Sequence, residues 1–158
     1  MEELSVQQAR ELRQAYDALS EAERGALQRC PDATAIMMDR TFWKIAGSTP
    51  DSIRLRLAHL VACFPAAGQL EGPEGFRPGA YLRRALYPKA ATIEPGEAAR
   101  YRQLVQARDV DELVPRIRKV LAAAGAPVDW GVFGRDLFEW SDKVRKGWDR
   151  DFYAANEG

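Results

Sequence analysis

Residues 110–124, VDELVPRIRKVLAAA, have the most regular hydrophobic pattern in the chain. Their apolar side chains recur every three or four residues, which places them on one face of an α-helix. These side chains are Val110, Leu113, Val114, Ile117, Val120, Leu121 and Ala124. The same period of 3.6 residues recurs on both sides of this stretch, without a sustained strand-like alternation. The sequence therefore predicts an all-α protein.

Capping residues mark the starts of the first helices. The stretches 5–8 (SVQQ) and 20–23 (SEAE) both have a serine followed three residues later by Gln or Glu, the capping-box pattern that begins a helix. We expect a third helix over residues 33–46. A fourth helix is expected over residues 50–64, with Pro50 in its first turn.

A stretch rich in glycine and proline, residues 66–79, predicts a loop between two packed helical halves. The halves are residues 1–65 and 80–158, and together they form one domain. After the loop we expect a short helix over residues 81–87 and a longer one over residues 95–108. Including the helix of residues 110–124 and the C-terminal part of the chain, the protein has about eight to nine helices.

The last part of the chain carries a second apolar face. At 100° per residue, seven side chains fall within one sector of about 120°. This spacing predicts one long helix, or two nearly coaxial helices, with Asp129 as the N-cap. It also predicts that the tryptophans pack in the core. The seven are Trp130, Phe133, Leu137, Trp140, Val144, Trp148 and Phe152.

Composition indicates a globular protein without a membrane span. The 158 residues are 46% hydrophobic and 29% charged, which excludes disordered and collagen-like classes. No apolar run approaches the ~18 residues that a membrane-spanning helix needs, and the start of the chain does not resemble a signal peptide. We therefore expect a cytoplasmic protein whose two cysteines, Cys30 and Cys63, are reduced.

The net charge is zero, but the charges are unevenly distributed. Residues 40–119 contain 14 basic and 8 acidic side chains, whereas residues 1–39 contain 4 and 8. Of the 23 basic side chains, 18 are arginines, the residue type best suited to forked contacts with phosphate. A codon bias toward arginine would give the same count.

No residue pattern indicates an active site, a cofactor or a metal centre. His59 and Cys63 are four residues apart and could share a helix face, and Cys30 could join them. Three soft ligands fall short of a closed zinc site. His59 lies in a mostly apolar helix, which favours a hydrogen-bonded core histidine. We predict no catalytic residue and no metal ligand.

Acidic residues near the C-terminus allow two interpretations. A metal-dependent nuclease would need clustered carboxylates to hold a divalent ion. The spacing favours surface ion pairs instead, from Glu139 to Lys143 and from Asp142 to Lys146. The acidic residues concerned are Asp129, Asp136, Glu139, Asp142 and Asp149.

Basic residues flank the apolar stripes of the central helices, and few acidic residues accompany them. We expect several of these side chains to gather into a continuous positive surface that binds a phosphate backbone without reading bases. A second, partly neutralised patch is expected on the last helix. The candidate nucleic-acid-binding residues are Arg54, Arg56, Arg83, Arg84, Arg100, Arg102, Arg116, Arg118, Lys119, Lys143, Arg145 and Lys146.

The stretches 128–140 (VDWGVFGRDLFEW) and 144–153 (VRKGWDRDFY) resemble the C-terminal signature of the CasB family, the small subunits of type I-E CRISPR Cascade complexes. Shorter pieces agree in order. They are RGALQR at 24–29, FWK at 42–44, FRPGAYLRR at 76–84 and RYRQLV at 100–105.

This resemblance implies a non-enzymatic, all-helical protein. It also implies that the chain assembles as a pair with a second copy of itself, against the backbone subunits and the large subunit of Cascade. Members of the family help to hold the guide RNA and the target DNA, including the displaced strand of the R-loop. The resemblance thus implies antiviral defence by RNA and DNA binding.

Two other classes of function stay open at this point. A sequence-specific helical DNA-binding regulator would need a recognition helix after a short turn, and no such spacing is evident in the sequence. A helical metal-dependent hydrolase would use the C-terminal carboxylates described above.

Overall fold

The computed structural model describes residues 5–47, 51–64, 76–90, 92–124 and 128–154. Within these residues the chain forms ten α-helices and one 3₁₀ turn, which confirms the all-α prediction. The described residues contain one isolated β-bridge and no strand. The helices are α1 Val6–Asp17, α2 Glu21–Gln28, α3 Ala33–Met37, α4 Arg40–Ala46, α5 Asp51–Cys63, α6 Pro78–Leu86, α7 Ala99–Val105, α8 Val110–Ala124, α9 Trp130–Phe138 and α10 Asp142–Ala154.

The predicted N-terminal caps are present. Ser5 and Ser20 each accept a hydrogen bond from the backbone N–H three residues later, and each capping box is completed by the returning Gln8 or Glu23 side chain. Asp129 accepts from the N–H groups at the start of α9. These contacts satisfy donors that have no partner within the helix.

The prediction of a single helix over residues 33–46 is wrong, because this segment forms two helices, α3 and α4. The Oδ1 atom of Asp39 accepts a 2.8 Å hydrogen bond from the N–H of Thr41 and so starts a new helix. The side chain of an aspartate competes in this way for backbone donors that would otherwise continue a helix. The indole N–H of Trp43 donates to the carbonyl of Met37 at 2.8 Å, and this hydrogen bond joins the two helices.

The helix after the predicted loop begins earlier than expected. Pro78 and Gly79, assigned to the loop of residues 66–79, form the first turn of α6, where proline loses no helical hydrogen bond. Residues 65–75 and Pro50 lie outside the described part of the chain. The division into residues 1–65 and 80–158 therefore stays a prediction.

The helix predicted over residues 95–108 is shorter than expected. Residues 95–97 form only a 3₁₀ turn, Ala98 is not helical, and α7 covers Ala99–Val105. The backbone of Ala98, with φ −100° and ψ 40°, leaves the α-helical region and separates the 3₁₀ turn from α7. The following helix, α8, agrees with its prediction, and Asp109 accepts a hydrogen bond from the N–H of Glu112 in its first turn.

The C-terminal segment does not form one long helix or a coaxial pair. The indole N–H of Trp148 on α10 donates to Asp136 on α9 at 2.8 Å. Twelve residues in one straight helix would separate these positions by about 18 Å along the axis. The chain therefore turns between Phe138 and Asp142, and α10 packs on α6 instead of continuing the axis of α9. The predicted core positions are nevertheless confirmed for Trp130 and Trp148, which are buried, whereas Trp140 is only partly buried and packs against the core.

One hydrophobic core joins the two ends of the chain. Helix α1 packs on α9, α10 packs on α6, and α5 contacts α3, α8 and α9. Aromatic rings connect these layers, with Phe64 of the N-terminal part 4.9 Å from Trp130 between ring centroids. Among the described residues, no helix is both long and apolar enough to cross a bilayer.

Candidate nucleic-acid interface

Three of the predicted basic residues converge on one cleft between α7 and α8. This α7–α8 cleft has a volume of about 660 Å³, and Arg100, Arg116 and Lys119 line it. No carboxylate is among its described lining residues. The lining is completed by two amide side chains and three apolar ones, Gln103, Gln106, Leu86, Leu104 and Val120.

Helical spacing explains why these cations meet. Arg116 and Lys119 are three residues apart on α8 and therefore lie on the same side of that helix. Ile117, between them, is fully buried and anchors α8 to the core. The guanidinium of Arg116 donates to the backbone carbonyl of Gln103 at 2.6 Å, which links the two walls of the cleft.

Two further cations, Lys143 and Lys146, line a second groove of about 720 Å³, the α9–α10 groove. Three carboxylates also line it, so its positive charge is partly neutralised. The guanidinium of Arg77 and the carboxylate of Asp151 are 3.1 Å apart at this groove. Its charged lining residues are Arg77, Arg135, Lys143, Lys146, Arg150, Asp136, Glu139 and Asp151.

The surface ion pairs predicted for this region differ from those observed. Asp142 pairs with Arg145 at 2.6 Å, one position short of the expected Lys146. Glu139 ends α9 whereas Lys143 lies on α10. The predicted Glu139–Lys143 pair required both residues to lie one turn apart in the same helix, and the turn between α9 and α10 separates them.

Three predicted arginines stack on aromatic rings. The guanidinium carbon of Arg54 lies 4.3 Å from the ring centroid of Trp43, and that of Arg84 lies 4.3 Å from the ring of Phe76. Arg56 lies 5.2 Å from the ring of Phe138 in the same way. Such contacts hold a guanidinium in place without neutralising it.

Two predicted arginines are engaged by backbone carbonyls. Arg83 is only 5% exposed and donates to the carbonyls of Tyr87 and Ala90, both at 2.7 Å. Arg118 is half-buried and donates to the carbonyls of Gln28 and Pro31. These side chains hold the ends of helices and turns together, so the expectation that Arg83 contributes to an open positive surface is wrong.

The predicted cations have different surroundings, and their union in one continuous positive track stays a prediction. They divide between the α7–α8 cleft, the α9–α10 groove and individual contacts with rings or carbonyls. Arg102 is exposed on α7 but is not among the described lining of the cleft. The arginines were expected to act as one set because periodicity gives only the face of each helix. How those faces meet depends on tertiary packing.

Sequence reasoning missed several residues that line the two clefts. Gln103 lies one turn after Arg100 and within the 100–105 stretch that resembles the CasB family. Arg135 and Arg150 likewise fall within the resembling C-terminal stretches. Gln103 would have been identified if every polar residue one helical turn from a candidate arginine had been added to the candidate site.

The residues considered for metal binding have structural contacts instead. His59 is buried and its Nε2 lies 3.2 Å from Oδ1 of Asp111, so its predicted place in the core is confirmed, while its hydrogen bonding stays a prediction. Burial raises the pKa of the Cys63 thiol well above its ordinary value. The described residues contain no group of three His, Cys, Asp or Glu side chains that could hold a metal ion.

The C-terminal carboxylates are also engaged in contacts that hold helices together. Asp129 caps α9 and pairs with Arg10 at 3.2 Å. Asp149 accepts a 2.7 Å hydrogen bond from the hydroxyl of Tyr101. These partners come from α1 and α7, so the carboxylates connect distant parts of the chain.

Comparison with known proteins identifies a family. The model of the family described as CRISPR-associated protein Cse2 matches residues 8–153. No curated protein sequence matches the chain.

Two solved structures share the fold. One is a chain of E. coli Cascade bound to a PAM-containing dsDNA target, with a TM-score of 0.70 and 19% identity over 92% of this chain and 94% of that chain. The other is CasB from Thermobifida fusca, with a TM-score of 0.61 and 18% identity over 94% of each chain.

The family match extends from the first turn of α1 to the last turn of α10. It therefore includes every helix that builds the α7–α8 cleft and the α9–α10 groove, and it confirms the resemblance to the CasB family. The chain belongs to the CRISPR-associated protein Cse2 family.

Proposed function

We propose that this chain is the small subunit of a type I-E CRISPR Cascade complex. In this role it binds the backbones of the guide RNA and the target DNA and stabilises the R-loop, including the displaced strand. Membership of the Cse2 family supports this proposal. So does the similarity of its fold to a chain of E. coli Cascade bound to double-stranded DNA.

The observation that carries the proposal is the charge of the α7–α8 cleft. Three cations line it, and its described lining contains no carboxylate that would repel a phosphate. Cations in such an arrangement bind a phosphate backbone irrespective of sequence. This is the behaviour that a subunit needs when base pairing with a guide provides the sequence specificity.

The α9–α10 groove and the stacked arginines give weaker, additional contacts in this proposal. Lys143 and Lys146 are exposed at the groove, and Arg84 is exposed beside Phe76. An arginine held against a ring loses little conformational freedom when it meets a phosphate. Several weak contacts of this kind would increase the residence time of a single strand on the surface.

The free-energy balance of an R-loop explains why such contacts matter. The guide–target duplex is about as stable as the DNA duplex that it replaces. Attraction between the displaced strand and a protein surface therefore shifts the balance toward the open state. The subunit acts in this proposal by binding alone, together with the backbone subunits, the large subunit and a second copy of itself.

A charge reversal in the assembled complex tests the proposal. Arg100, Arg116 and Lys119 are replaced together by glutamate, and the lifetime of the R-loop on a matched target is measured. The control replaces three other exposed cations, Arg29, Arg40 and Lys89, in the same way.

The cleft variant should shorten the R-loop lifetime at least tenfold, while the control changes it less than threefold. Circular dichroism and the amount of subunit in the purified complex establish that both variants fold and assemble. Equal lifetimes for the cleft variant and the unmodified complex would contradict the proposed role of the α7–α8 cleft.

A further inference from the structure

The surface of α4 carries one prominently exposed aromatic ring. Trp43 is 41% exposed, whereas Trp130 and Trp148 are buried in the core. Every other aromatic side chain in the described part of the chain is buried or half-buried. Trp43 is not in the described lining of the α7–α8 cleft or of the α9–α10 groove. The ring is therefore a surface feature separate from both of them.

Three contacts hold this ring in a fixed orientation. Its indole N–H donates to the carbonyl of Met37 at 2.8 Å. The ring of Phe42 meets it edge-on, with 5.9 Å between ring centroids. The guanidinium carbon of Arg54, on α5, lies 4.3 Å from the centroid of the Trp43 ring. Because these contacts already fix the ring, it loses little conformational freedom when a ligand stacks on it.

Basic residues accompany the ring on α4 and α5. Arg54 stacks on it, as described above. Arg40 is exposed and precedes Trp43 by three residues on α4, so the two share one side of that helix. Lys44, the next residue, is also exposed. An exposed aromatic ring among cations is the arrangement with which proteins bind single-stranded nucleic acid, because bases stack on the ring and phosphates meet the cations.

Two carboxylates contact α4, and both are engaged there. Glu23 lies 2.8 Å from the ammonium of Lys44, so these two charges largely cancel. Asp39 is half-buried and accepts a hydrogen bond from the N–H at the start of α4. The remaining cations, Arg40 and Arg54, outnumber Asp39. These residues together carry a net positive charge, which attracts the phosphates on either side of a base.

We propose that Trp43 and Arg54 form a stacking site for one base of a single-stranded nucleic acid. The base lies on the exposed part of this Trp43–Arg54 pair, and a neighbouring phosphate meets Arg40. Indole rings and guanidinium planes both stack on bases, and every base has a flat face, so the site does not select a sequence. This inference rests on the proposed function for its class of ligand, and it adds a base contact outside the α7–α8 cleft and the α9–α10 groove.

Two oligomers separate base stacking from phosphate binding. One is an oligothymidine, and the other is an abasic oligomer of equal length, which has the same phosphates without bases. Fluorescence anisotropy measures the affinity of the full chain for each labelled oligomer. Because one stacked base contributes a factor of about five or more to affinity, the oligothymidine should bind at least about fivefold more tightly than the abasic oligomer.

Two substitutions of Trp43 test whether its ring provides the stacking. Trp43→Leu should lower the affinity for oligothymidine at least about fivefold and change the affinity for the abasic oligomer less than twofold. Trp43→Phe also loses the hydrogen bond to Met37 but keeps a ring, so it should lower the oligothymidine affinity less than threefold. The control Met38→Ala, at an 82% exposed residue, should change neither affinity. Circular dichroism establishes that each variant folds.

The glutamate variant of the α7–α8 cleft distinguishes this site from the proposed function. Reversal of charge in that cleft should weaken binding of both oligomers, because both have the same phosphates. The ratio of the two affinities should stay the same, since it reports the stacked base. The ratio therefore tests the Trp43–Arg54 pair, and the R-loop lifetime tests the α7–α8 cleft, so the two proposals fail separately.

Three results would overturn the stacking proposal. The first is equal affinity of the unmodified chain for the two oligomers, including no affinity for either. The second is a loss in Trp43→Phe as large as in Trp43→Leu, which would show that the hydrogen bond to Met37 matters and the ring does not. The third is an unchanged oligothymidine affinity in Trp43→Leu. If that variant were also depleted from the purified complex, Trp43 would belong to a contact with another protein subunit.

Discussion

Trp148 donates its indole N–H to Oδ2 of Asp136 across 2.8 Å, and both side chains are buried. This hydrogen bond joins α10 to α9 after the turn that separates them. Burial raises the pKa of Asp136, although the Trp148 hydrogen bond and Arg135 act in the opposite direction. The contact therefore combines a structural tie between two helices with a carboxylate in an unfavourable environment.

Removing the acceptor should destabilise the protein. Asp136→Ala leaves the indole N–H of Trp148 buried without its acceptor, which typically costs about 1–3 kcal/mol. Asp136→Asn keeps an oxygen acceptor and should cost less. Urea unfolding of the two variants measures the difference, and an equal loss of unfolding free energy in both would contradict the importance of the acceptor.

The same carboxylate predicts a pH dependence. Because the folded-state pKa of Asp136 is raised, protonation of this group favours the folded state, and its contribution to stability is lost as the pH rises through the folded pKa. The unfolding free energy of Asp136→Asn, relative to that of the unmodified protein, should therefore be higher at pH 7 than at pH 4. Urea unfolding at both values measures this; a difference that does not change with pH would be inconsistent with a raised pKa.

Close approach of α6 and α10 at Gly79 gives a matched pair of substitutions. A Cβ atom at Gly79 would meet the backbone carbonyl group of Trp148, whereas one at Gly147 would meet nothing within 4 Å. Gly79→Ala should cost at least about 2 kcal/mol through overpacking. Gly147→Ala, within α10, should stabilise the protein by up to about 1 kcal/mol. Thermal unfolding of both variants measures the effects, and similar melting temperatures would contradict the close approach.

His59 should make the protein less stable in mild acid. Its folded-state pKa is lowered, so protons bind preferentially to the unfolded chain, where the pKa is about 6.5. The stability contributed by the neutral ring is complete above this value and is lost as the pH falls below it. Between pH 7.5 and 5.5, the unmodified protein should lose more unfolding free energy than His59→Gln. One proton limits this extra loss to about 1.4 kcal/mol per pH unit. If the unfolding free energies of the unmodified protein and His59→Gln changed in parallel with pH, the pKa of His59 would be the same in the folded and unfolded states.

The salt dependence of nucleic-acid affinity measures how many phosphates the α7–α8 cleft contacts. For single-stranded nucleic acid, each phosphate contact contributes about 0.7 to the slope of log affinity against log salt. Replacing Arg100, Arg116 and Lys119 by alanine should therefore reduce that slope by about 2. Fluorescence anisotropy of a labelled oligothymidine measures it, with Arg29, Arg40 and Lys89 replaced by alanine as the control. An unchanged slope in the cleft variant would mean that these side chains do not contact phosphates.

Helix starts were well predicted from the sequence because capping is local. Ser5, Ser20 and Asp129 each bind N–H groups within three residues, so neighbouring side chains were enough to identify them. The break at Asp39 was missed although its mechanism is equally local. The apolar period continues through that position, and a pattern of hydrophobic residues does not distinguish one helix from two with similar faces.

The candidate site was only partly predictable. Arg116 was placed beside the apolar stripe of α8, and Arg100 was placed beside the stripe of the preceding helix. The hydrophobic patterns of α7 and α8 did not predict that Arg100, Arg116 and Lys119 line the same cleft. Arg83 had the same sequence signal as its neighbour Arg84, yet one is buried against carbonyls and the other is exposed.

The sequence by itself determined the helical class, the positions of most helix starts, the family and the apolar face of each helix, because these depend on neighbouring residues or on the order of short motifs. Tertiary structure decided that α10 leaves the axis of α9 and packs on α6, that Arg83 is withdrawn from the surface and that Arg100, Arg116 and Lys119 share one cleft. Such outcomes depend on which faces of distant helices come together. Side-chain burial and hydrogen-bond partners are set by that assembly, which local spacing does not specify.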